Sequence, residues 1–171
     1  MKDTLTGVFF YFLSLYIYVY VRFNERFEVM LSIIVLSVIM AIATIEDIAI
    51  RQLPIICFSL FDVYLTFYTL YKNTFGIEMI YGLIIGSVPF LIMALLKYGG
   101  IGDVIMMGTL GYYFGIYYVD VIIIISFLFF IAFSIIIKVK YKIKRIKKRK
   151  IELPFAPFAL IGYSIVLFML L

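Results

Sequence analysis

Apolar runs long enough to cross a bilayer follow one another along nearly the whole chain. A helix spanning the hydrocarbon core needs about 20 mostly apolar residues, with about 17 as a lower limit. On that measure spans are predicted near residues 5–21, 29–50, 54–71, 77–97, 101–117, 118–138 and 154–171. Only Gly115 and Asp120 mark a turn between the fifth and the sixth. With 66% of its 171 residues hydrophobic and a mean hydropathy of +1.18, a water-solvated globule of this size could not hide its apolar surface. The expected fold is therefore an all-α polytopic membrane protein. It would be a bundle of about seven transmembrane helices (six to seven), forming one membrane-embedded domain over residues 1–171 with no soluble domain. The first run follows Lys2 as a signal peptide would. It is too long for that role and lacks a small-residue cleavage site before Arg22, so it is read as a retained span.

Punctuation within the runs refines this picture. Pro54 and Pro154 stand at span starts, where a missing N–H costs nothing, and Pro89 inside the fourth span predicts a kink. Gly82 with Gly86, and Gly111 with Gly115, have the GxxxG spacing that lets helix backbones approach closely, with Gly108 one turn earlier. The 15 Tyr and 18 Phe are expected in the core or at the interface and are assigned no chemistry.

The net charge of +5 is a local feature, because nine of the 15 Lys and Arg fall between Lys138 and Lys150. Seven spans put the termini on opposite sides. With the N-terminus inside, the inner segments hold Lys2, Arg51, Lys97 and the basic cluster, and the outer segments hold only Arg22, Arg26 and Lys72. The positive-inside rule selects this orientation. The cluster then reads as a cytoplasmic loop lying against anionic lipid, and nucleic acid is not expected as a partner. The chain contains no histidine and a single cysteine, Cys57. That composition removes Ser-His triads, HExxH zinc proteases, thiolate zinc sites and internal disulfides. No metal or other cofactor is expected, and Cys57 is read as an ordinary core residue.

Carboxylates are what remains. Charge within a span is expensive, so an acid there needs a reason. Asp3, Glu25, Glu28, Glu78, Asp120 and Glu152 fall at ends or loops, whereas Asp47, Asp62 and Asp103 fall in or beside spans. Asp47 and Asp103 share the inner side at similar depth, where two carboxylates could bind a water between them, one deprotonating it while the other donates to a carbonyl. Asp103 at a helix start would then be the base and Asp47 near a helix end the acid. The residues alone equally allow a helix cap at Asp103, after Gly99, Gly100 and Gly102, and an i, i+4 ion pair of Asp47 with Arg51. Asp62 reads as a bundle-facing acid bonded to Ser or Tyr hydroxyls, or as a support lining a water path.

Three segments carry a resemblance. Gly100-Ile101-Gly102-Asp103 matches the GxGD signature of membrane aspartic proteases. Asp47 to Pro54, with Leu53 before the proline, resembles the first-aspartate motif of the type IV prepilin peptidase and preflagellin peptidase family. Leu153-Pro154-Phe155-Ala156-Pro157-Phe158, after the basic loop, is similar to that family's Pro-Phe-Gly-Pro-Phe segment. The resemblance covers nearly the whole chain. It implies catalytic roles for Asp47 and Asp103, with Gly100, Gly102, Leu53, Pro54, Pro154, Phe155 and Pro157 as motif support. It implies cleavage of the leader peptide of prepilin-like or preflagellin-like proteins at the cytoplasmic face of the cell membrane.

Three positions depart from the pattern: Ile105 where the family often has lysine, Ile55 where it often has asparagine or aspartate, and Ala156 in place of glycine. No CxxC motif is present, so the zinc-bearing insertion and methylation activity of larger members are not expected. Two alternatives stay open: an inactive homologue that binds prepilins, and a small transporter using its acids as a proton or cation path.

Overall fold

The computed structural model describes residues 28–143 and 153–170. These form five helices: α1 Glu28–Ile50, α2 Ile55–Tyr71, α3 Ile77–Leu95, α4 Ile101–Ile143 and α5 Ala156–Leu170. The sequence predicted about seven, and five is the number among the described residues. The first expected span, near 5–21, lies outside them. The fifth and sixth expected spans run together as α4, because no polar loop separates them. The break between them is a single residue: Gly115 has φ 73° and ψ −176°, an excursion from helical geometry that only glycine makes cheaply. Asp120, the other turn signal, is helical and exposed.

By length and composition α1, α3 and the Ile101–Lys140 stretch of α4 can each cross a membrane, while α2 and α5 are shorter apolar helices. Large apolar side chains such as Ile56, Phe67, Leu95 and Phe168 are exposed, and this outward apolar surface is compatible with lipid as solvent. Cys57 is also exposed, not a core residue: it sits in the first turn of α2 on the outward side.

The chain divides into two compact units, Met1–Val38 and Ile39–Leu171, and the boundary falls within α1. The first unit's described residues are the opening turns of α1. In the second unit α4 is central, packing against α2, α3 and α5. Glycine makes the tightest of these crossings possible. A Cβ on Gly82 would overlap the carbonyl of Gly111, one on Gly86 would overlap that of Met107, and one on Gly111 would overlap that of Gly82. The glycine pairs thus serve a contact inside the chain, between α3 and the first half of α4. A third close approach joins α5 to α4, where a Cβ on Gly162 would meet Ser126 Oγ and the Ile122 carbonyl.

The helix ends follow from local chemistry. At the end of α3, Lys97 takes a left-handed conformation (φ 62°) while its N–H and that of Tyr98 bond back to Ala94 and Met93. This is a Schellman closure. Asn73 (φ 53°) ends α2 in the same way. Pro54 is the residue capping α2, and α3 continues through Pro89.

Candidate functional site

Asp47 lies in the last turn of α1 and is 8% exposed. Its Oδ2 accepts the backbone N–H of Ala156 at 2.8 Å, across 109 residues of sequence. The Pro-Phe-Ala-Pro segment explains why that N–H is free to be given. A helix start leaves its first N–H groups without intrahelical partners. Pro157 has none to offer, and Phe158 and Ala159 turn theirs onto the Phe155 carbonyl, leaving Ala156. Phe155 anchors this helix start. Its ring packs on Phe90 of α3 and on Phe127 and Phe130 of α4, with centroids 5.1, 5.6 and 5.8 Å away.

Asp103 is the third residue of α4. Its Oδ2 accepts the Gly100 N–H at 3.1 Å, while its own N–H bonds to the Gly100 carbonyl. This is the reciprocal half of a capping box, so Asp103 caps α4 from inside the first turn. The second glycine of the motif has a separate reason. A Cβ on Gly102 would come within 2.8–2.9 Å of the Leu53 side chain, so the GxGD turn packs directly on the residue before Pro54. The Asp47 and Asp103 carboxylates are near enough for their charges to act on each other.

The structure therefore brings together Asp47, Leu53, Gly100, Gly102, Asp103 and the start of α5 with Phe155 and Pro157. It removes one contrast between the two aspartates. Asp47 lies near the end of its own helix, yet its carboxylate meets the N-terminus of α5. Each carboxylate thus accepts an N–H at a helix start, and the expected division into acid and base loses its dipole argument. Arg51 stands beyond the end of α1 in a left-handed conformation (φ 55°), its N–H bonded to the Glu46 carbonyl. Ile105 is half-buried.

Asp62 belongs to a different set of contacts. Thr109 of α4 donates to its Oδ2 at 2.9 Å, so the hydroxyl that meets it is a threonine's. Three contributors escape a reading by residue type. The Ala156 N–H is backbone, the Phe90–Phe127–Phe130 seat for Phe155 has no spacing signal, and Gly162 lacks a GxxxG partner. The Pro-x-x-Pro pattern is the one cue that could have singled out Ala156. Comparison of the chain with family models, with characterised proteins and with solved structures returned no match.

Proposed function

We propose that the chain is a membrane aspartic endopeptidase that removes the leader of prepilin-like or preflagellin-like proteins at the cytoplasmic face, with Asp47 and Asp103 as its dyad. The observation that carries this reading is the junction of three sequence-distant segments at one place. Asp47 receives the N–H that opens α5, Gly102 packs on Leu53, and the charges of Asp47 and Asp103 act on each other. A capped helix or an ion pair would require none of this convergence.

One carboxylate takes a proton from a water held between the two. The water oxygen bonds to the scissile carbonyl carbon as the other carboxyl donates to the carbonyl oxygen. Collapse of that adduct breaks the C–N bond, and the proton taken from water passes to the leaving amine. The backbone N–H groups of Ala156 and Gly100 hold the carboxylates in place during this exchange, which is worth more than an equivalent contact in water. The inner side is assigned from charge: 12 Lys and Arg fall on it under the predicted topology and three on the other.

The test mixes the purified chain with prepilin-type and preflagellin-type substrates and follows loss of the leader. Asp47→Asn and Asp103→Asn are each expected to abolish cleavage, by at least about 10³-fold. Normal cleavage by either variant would remove the dyad, and no cleavage by the wild-type chain would favour a binding homologue.

A further inference from the structure

The stretch of α4 after Gly115 outruns the helix beside it. It starts level with α3, since a Cβ on Gly115 would lie 4.0 Å from the Glu78 carbonyl. It then follows α3: a Cβ on Gly86 would meet Val119 Cγ2 at 3.4 Å, and Phe127 stacks on Phe90 with centroids 5.5 Å apart. From Glu78, α3 continues to Leu95 and covers about 27 Å, whereas residues 116–143 of α4 cover about 42 Å. The first length fits the hydrocarbon core of a bilayer, about 30 Å. The second exceeds it by more than one headgroup layer of roughly 5–8 Å.

The residues of this overhang say what surrounds it. Counted from the shared start, α3 ends level with residue 133 of α4, so Lys138 and Lys140 stand about 7–11 Å further along, at headgroup depth. Both are exposed, as are Ile135, Ile136 and Val139. At about 100° per residue the three apolar side chains share one arc of the helix, with Lys138 on one flank and Lys140 on the other. Water would leave that arc unburied. A lipid surface buries it while the ammonium groups reach outward to the phosphates. The charge is of one sign, because every charged residue between Asp120 and Glu152 is Lys or Arg. The sequence placed the whole basic cluster in a loop, but α4 stays helical through Ile143 and presents its first lysines on a helix face.

We infer that the end of α4 is a docking surface for anionic phospholipid headgroups, of the phosphatidylglycerol class, in the leaflet where α3 ends. Lipid held there fixes how deep α3, α4 and α5 sit in the bilayer. The inference rests on helix lengths and charge and not on the peptidase reading, and its test needs no substrate.

The purified full chain is titrated with phosphatidylglycerol and phosphatidylcholine of matched acyl chains, and bound lipid is counted by native mass spectrometry. Phosphatidylglycerol is expected to bind at least about tenfold more tightly. Lys138→Gln with Lys140→Gln is expected to lower that preference roughly tenfold, and Lys72→Gln to leave it unchanged. A nitroxide attached at Val139→Cys in a Cys57→Ser chain, reconstituted in nanodiscs, is expected to collide more with oxygen than with a water-soluble nickel chelate. Equal binding of the two lipids overturns the inference, as does a preference that survives the double substitution or a nitroxide that meets the nickel chelate more. Displacement of the lipid by inorganic phosphate would assign the lysines to a free anion instead. Loss of self-association in the double variant, with lipid binding intact, would assign the face to a second copy. Lysine-dependent binding of an oligoribonucleotide without a lipid preference would assign it to nucleic acid.

Discussion

The carboxylate of Asp47 is held by a backbone group, the Ala156 N–H, and not by a side chain. Substitutions at Ala156 can therefore separate the hydrogen bond from the residue. Ala156→Gly keeps the N–H and is expected to leave cleavage within a few-fold of wild type. Ala156→Pro removes the donor at a first helical position, where proline geometry is tolerated. It leaves a buried carboxylate oxygen unsatisfied, at a cost of about 1.5–3 kcal/mol. Thermal melting is expected to fall and leader cleavage to be lost. If Ala156→Pro cleaves as well as Ala156→Gly, the α5 start does not hold Asp47 in the working state. Gly102→Val tests the facing contact, since its branched side chain must displace Leu53. The expected cost is about 1–3 kcal/mol, with activity falling further than stability.

At the scale of elements, the stability of the α3–α4 crossing rests on what glycine leaves out. Gly82 and Gly111 each face the other's carbonyl with no room for a Cβ, while a Cβ on Gly76 at the start of α3 would make only ordinary contacts, at 3.9 Å or more. Gly82→Val is therefore expected to lower the melting temperature or prevent folding, by about 1–3 kcal/mol or more. Gly76→Ala should cost less, about 0.5–1 kcal/mol, because it replaces only a tolerated N-cap glycine. Equal effects at the two positions would refute the crossing. Gly115 differs in kind: its φ of 73° with ψ −176° is a backbone demand. Gly115→Ala should cost about 1–3 kcal/mol even though the nearest atom to its Cβ would be 4.0 Å away. These positions also show what the sequence could convey. GxxxG spacing announced a close approach but not its partner, because spacing describes one helix face and a crossing involves two.

For the molecule as a whole, the three helices among the described residues that are long and apolar enough to cross a membrane give a simple expectation. The expressed chain should sediment with membranes and stay there through alkaline carbonate extraction, as followed by immunoblot. Release into the supernatant would contradict a lipid solvent for the exposed apolar faces. The side facing the cytoplasm can be read from protease protection of a tag placed in the Lys138–Lys150 segment. A tag protected in right-side-out vesicles and cleaved in inverted ones is expected from the charge asymmetry.

The sequence by itself determined the helical class and most helix positions, because a bilayer-length apolar run leaves few alternatives to a helix that satisfies its own backbone. Expected runs at 29–50, 54–71, 77–97 and 154–171 lie within a few residues of α1, α2, α3 and α5. It also singled out Asp47 and Asp103, since an acid in an apolar run is conspicuous. It did not determine the division near Gly115, where one residue's dihedral angles, and no polar loop, separate two stretches. Nor could it say which groups meet. The Ala156 N–H on Asp47, Leu53 against Gly102 and Thr109 on Asp62 all join residues at least 47 positions apart. Such contacts depend on how α4 seats its neighbours, and that seating is decided by side-chain and backbone fit across helices. Hydropathy measures the solvent each residue prefers and carries no information about its neighbour, so only the tertiary structure could show which groups the two aspartates meet.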